Sequence, residues 1–81
     1  SFNILFFIKY NKGGEKMIID YQKFFIACAK AKITASAAVE KAGLSSFILT
    51  KIKKGNNVTA LTVGKLAEAL NISVEDLLNL K

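Results

Sequence analysis

From residue 20 onward apolar residues recur at helical spacing. Phe24, Ala27, Cys28 and Ala31 stand at i, i+3, i+4 and i+7, which predicts a helix over residues 21–31 with one buried face. Asp20 lies just ahead, where a carboxylate can accept the free N–H groups of a first turn. Thr34 is the next capping residue and predicts a short helix over 35–42. Gly43 stops it, because glycine enters the left-handed backbone at little steric cost. The chain restarts at Leu44-Ser45-Ser46. Ser45 is read as the cap of a third helix running to Lys54 and closed by Gly55, with Leu49 and Ile52 on one side and Leu44 just ahead of them. Asn56 and Asn57 form a loop. Thr59 caps a fourth helix to Leu70, along which Ala60, Val63, Leu66, Ala67 and Leu70 make a stripe for burial. After Asn71, Ser73-Val74-Glu75-Asp76 has capping-box spacing, with Asp in place of the usual Glu, and opens a fifth helix carrying Leu77, Leu78 and Leu80.

Ahead of Gly13-Gly14 the pattern changes. Residues 2–10 are rich in aromatic and β-branched types and read as a strand. They are too few for a membrane helix, which needs about 20 residues. No basic residue precedes the run and no small-residue cleavage site directly follows it, which argues against a secretion signal. Gly13-Gly14-Glu15-Lys16-Met17 can be back-translated into a purine-rich ribosome-binding sequence at the usual distance from a start codon at Met17. Residues 1–16 are therefore expected to be an N-terminal extension. They are either a translated leader or an edge strand that pairs with another chain, since a lone strand leaves its backbone groups unpaired. Residues 17–81 are expected to form the folded domain.

Composition narrows the function. At 81 residues, with 52% hydrophobic and 22% charged residues and no proline, the chain suits one small globular domain. Twelve lysines and no arginine stand against six acids, giving a net charge of +6 and favouring an anionic partner. The asymmetry is local. No acid occurs between Glu40 and Glu68, whereas Lys41, Lys51, Lys53, Lys54 and Lys65 do. With a single cysteine and no histidine, no internal disulfide or zinc ligand set can be assembled, and neither a metal nor a cofactor is expected. Scattered acids and the lack of histidine leave no general acid–base pair, so an enzyme is not expected. Cys28 reads as a small buried hydrophobe.

The informative stretch is residues 34–55: helix, glycine turn, Leu-Ser, helix, glycine. Helices joined by so tight a turn cross steeply, and the second projects a face beyond the body of the domain. The Glu40-Lys41-Ala42-Gly43-Leu44-Ser45 turn, the Lys51-Ile52-Lys53-Lys54-Gly55 exit and the residues from Ala69 to Leu78 (Ala-Leu-Asn-Ile-Ser-Val-Glu-Asp-Leu-Leu) occur together. Over about residues 20–78 the chain resembles the Cro and phage-repressor (xenobiotic response element) type of helix-turn-helix regulator. That resemblance implies an all-α, five-helix, lambda-repressor-like DNA-binding domain of bacterial or phage origin, here with an extra N-terminal apolar segment. It implies a cytoplasmic transcriptional regulator, a repressor, acting as a homodimer on double-stranded palindromic DNA.

Carried over by position, the resemblance places base contacts at Ser46, Phe47, Thr50 and Lys51 near the start of the second motif helix. Lys51 has the clearest chemistry, since an ammonium can donate to guanine O6 and N7, and the Phe47 ring suits a thymine methyl. Phe47 serves equally well as a protein contact. Phosphate contacts fall to Thr34, Lys54, Asn56 and Asn57. The sequence departs from the family at three places. Ala35 stands where a phosphate-anchoring Gln is frequent, and Cys28 and Lys53 stand where many members pair an Arg with a Glu. Both partners of that pair are gone together, so no buried charge is orphaned.

Two other function classes compete. A protein-interaction module, such as an antitoxin or anti-regulator, would use the Phe47-Ile48-Leu49 surface and the N-terminal strand, and is favoured by Ala35 and Phe47. Peripheral membrane attachment through residues 2–10 with Lys9 and Lys12 ranks well below both.

Overall fold

Asp20 opens the first helix as its position predicts, its carboxylate accepting the Lys23 N–H at 3.1 Å. The structure, a computed structural model, describes residues 16–79. The strand expected over residues 2–10 and Leu80 lie outside them. Helix α1 (Tyr21–Ala31) buries Phe24, Ala27 and Cys28. Ala31, expected on the same face, is instead exposed. The helix ends there because Lys32 turns into the left-handed region at φ 60°, donating its N–H to the Ala29 carbonyl, while Ile33 donates to Cys28. A lysine in that conformation holds about 1–2 kcal/mol of steric strain. Lys32→Gly is accordingly expected to raise the unfolding free energy by about 0.5–1 kcal/mol, net of glycine's extra freedom in the unfolded chain. Urea titration checks this, and an unchanged or lower midpoint contradicts it.

Helix α2 (Ala35–Lys41) begins at Thr34, whose Oγ1 accepts the Ala37 N–H at 3.0 Å. Gly43 at φ 76° then reverses the chain, and the N–H of Leu44 donates to the Val39 carbonyl at 3.0 Å. Helix α3 (Phe47–Lys54) starts two residues beyond the expected cap at Ser45. Ser46 is the flanking residue, and no serine hydroxyl caps the helix. The backbone does so instead: Ile48 donates to the Ser45 carbonyl and Leu49 to that of Ser46, both at 3.1 Å, a tight three-residue entry that leaves the side chain out. Gly55, at φ 72°, closes α3.

Strand β2 (Val58–Thr59) follows and pairs antiparallel with β1 (Lys16–Met17), Lys16 opposite Thr59 and Met17 opposite Val58. The fold is mostly helical, as expected, and this two-stranded sheet is an addition to the all-α reading. Such short strands have no periodicity to read. Helix α4 (Ala60–Leu70) carries the predicted stripe, with Ala60, Val63, Leu66, Ala67 and Leu70 all buried. Asn71 ends it at φ 57°.

The fifth helix is a single 3-10 turn, Val74–Leu77, opened by the Asp76 carboxylate accepting the Ser73 N–H at 3.3 Å. It does not continue because Leu78 is extended, at φ −107° and ψ 152°, and bridges antiparallel to Ile19. Asp20 adds a 2.8 Å bond to the Leu77 carbonyl, and Lys23 Nζ reaches the Leu78 carbonyl at 2.7 Å. Residues 16–20 thus form a strap tying the strand before α4 to the turn after it.

Phe24, Ile19, Ile52, Leu66, Leu77, Val39 and Val63 are the largest fully buried side chains, so every helix and the strap contribute to one core. Among the described residues no polar or charged side chain is buried. Cys28 lies in this core, where burial raises its thiol pKa and disfavours the reactive thiolate. Lys53, the other position of the missing ion pair, is exposed, and neither position strands a charge.

Candidate nucleic-acid interface

Helix α2 is the inner helix of the pair. It packs on α1 and α4 and buries Ala38 and Val39, while α3 rests chiefly on α2 and β2. Ile52 is the one fully buried side chain of α3, at 1% exposure, with Ile48 and Leu49 half-buried beside it. This leaves the opposite face outward. Phe47, Thr50, Lys51 and Lys54 follow one another at i, i+3, i+4 and i+7 along that face. Ser46, Phe47, Thr50 and Lys54 are exposed, and Lys51 is half-buried. The four expected base-reading residues therefore lie together along the first five residues of this short helix and its flanking Ser46.

Lys51 does not extend freely. Its ammonium lies 5.6 Å from the centroid of the Phe47 ring, one turn back on the same helix. A cation over an aromatic face is held by the ring quadrupole, so this lysine is partly positioned in the absence of a ligand. Phe47 itself is 64% exposed, the most exposed large hydrophobic side chain among the described residues. The sequence placed both residues on the face but gave no sign of their contact beyond the i, i+4 spacing.

The expected phosphate-binding residues fall at the margins of this face. Thr34 is exposed at the start of α2; its oxygen caps Ala37, which leaves its hydroxyl hydrogen free to donate outward. Lys54, Asn56 and Asn57 are exposed around the α3 exit, where Asn56 donates its backbone N–H to the Lys51 carbonyl at 2.9 Å. Three lysines, Lys51, Lys53 and Lys54, occupy the last turn of α3, where the helix dipole also favours cations.

The profile of the Cro/C1-type HTH DNA-binding domain matches residues 26–81, more than half of the chain. The chain belongs to that family. No curated protein and no solved structure matches it significantly. The matched stretch of this Cro/C1-type domain begins within α1 and takes in the whole helix-turn-helix pair. The family assignment makes it a DNA-binding domain of a regulator. Among the described residues no cluster of potential metal ligands occurs, and no helix is long and apolar enough to cross a membrane.

The Cro/C1-type domain has a second exposed apolar surface, which the stripe pattern of α1 leaves without a role. Phe25 and Ile26 of α1 are 58% and 54% exposed, and the rings of Tyr21 and Phe25 lie 5.9 Å apart in a tilted pair. The signal was present, since these residues fall off the stripe that Phe24, Ala27 and Cys28 define.

Proposed function

We propose that this Cro/C1-type domain is a cytoplasmic, sequence-specific transcriptional repressor that binds double-stranded DNA as a homodimer, with residues 45–54 entering the major groove. The observation that carries this reading is the outward face of α3, which presents Phe47, Thr50, Lys51 and Lys54 in a stretch of chain without a single acid. Lys51 reads guanine, the Phe47 ring contacts a thymine methyl, and Ser46 and Thr50 donate or accept with little discrimination. Thr34, Lys54, Asn56 and Asn57 hold phosphates and fix the register. A homodimer matches a palindrome whose half-sites lie about one helical turn, roughly 34–36 Å, apart.

Selection of bound duplexes from a random pool tests this. A palindromic sequence is expected to be enriched, and Lys51→Ala is expected to relax one position in each half-site, with a discrimination loss of about 1–3 kcal/mol there. Absence of any enriched sequence overturns the proposal. The Tyr21–Phe25 surface favours a second reading, a protein-interaction module such as an antitoxin, because exposed aromatic clusters mark protein contacts. That reading predicts no enrichment in the same selection.

A further inference from the structure

Geometry joins Phe47 and Lys51. They are one helical turn apart, about 6 Å along the axis, or roughly two base-pair steps. The Lys51 ammonium folds back to 5.6 Å from the Phe47 centroid and does not reach along the helix. Any acceptor it takes must then lie beside whatever the ring touches. Phe47 is 64% exposed even with the cation beside it, so the side chain keeps surface open for a further contact.

We propose that Phe47 and Lys51 form a single reading unit for a thymine and a guanine on the same or neighbouring base-pair steps. The ring takes the thymine 5-methyl and at the same time aims the ammonium at guanine O6 and N7. Phe47 is thus a positioning residue for Lys51 as well as a contact. Lysine alone is a flexible point charge that loses much rotamer freedom on binding, and holding it over a ring reduces that loss before DNA arrives. Entry into the groove removes water from both groups, which strengthens the attraction between cation and ring. This inference rests on the DNA-reading role proposed above, and it adds a coupling that the role does not require.

The test uses the full chain and the half-site obtained by selection. Replacing the thymine by deoxyuridine removes only the methyl group. Parent protein is expected to lose about fourfold in affinity, near the worth of one buried methyl, whereas Phe47→Ala is expected to be indifferent to the change. Phe47→Leu keeps an apolar contact but has no π face. It is expected to retain the preference for thymine over deoxyuridine while losing about threefold in discrimination at the guanine. In a Lys51→Met background the same Phe47→Leu change is expected to leave that position untouched. Exposure of Phe47 makes these variants safe for folding, and circular dichroism verifies it. If an enriched site appears but deoxyuridine is silent, or guanine discrimination survives Phe47→Leu, the unit is refuted while DNA reading stands. If no site is enriched, the proposed function itself has failed.

Discussion

Phe24→Ala is expected to remove about 3–5 kcal/mol of stability, comparable to the whole net stability of a single core this small. Phe24 is fully buried and belongs to the cluster that joins the strap, all four helices, β2 and the 3-10 turn. Its truncation leaves a void that the packed core can refill only in part, which is why the cost exceeds simple transfer of the ring to water. The adjacent Phe25→Ala provides the contrast. Phe25 is 58% exposed, and its loss is expected to change stability by less than about 0.5 kcal/mol. Urea denaturation followed by circular dichroism compares the two. Similar midpoints for both variants would contradict the placement of the α1 face.

Binding to the selected operator is expected to collapse with salt. If each copy in a dimer neutralises about 4 phosphates, log K falls with log salt at a slope near −7, a loss of about 10,000-fold between 50 and 200 mM. Lys54→Ala, present twice in a dimer, is expected to make that slope shallower by about 2. Lys30→Ala supplies the control, since Lys30 lines a groove with Lys23, Ile72 and Asp76, all outside α2 and α3. Its slope is expected to match the parent's. Fluorescence anisotropy over a salt series measures all three, and a flat response in the parent would defeat the phosphate-binding role.

The long periodic elements were legible in the sequence. The α4 stripe can be read directly because Ala60, Val63, Leu66, Ala67 and Leu70 all face the core. Ala31 misled, because periodicity says where a face continues but not that Lys32 would leave the helix through the left-handed region. The Ser45 cap failed for a related reason: two serines in succession offer the same hydroxyl, and the chain satisfied its N–H groups with carbonyls. The last helix is shorter than its pattern suggests because Leu77 and Leu78 suit a helix as well as an extended edge. What decided it was Ile19, a residue 59 positions away in sequence that pairs with Leu78. At the site, the family resemblance located the outward face, but the side-chain contact between Lys51 and Phe47 depends on rotamers, which no spacing rule specifies.

The strap has a practical corollary. Because Ile19 pairs with Leu78, the entry and exit of the described fold are neighbours, and Lys16, Met17, Leu78 and Asn79 share one surface groove with Asn57. A fluorophore attached at Lys16 or Asn79 would sit beside Asn57, in the loop that leaves α3. Linkers grafted there offer a reporter of occupancy, and the same adjacency suits the fold to circular permutation or to insertion into a host protein's loop.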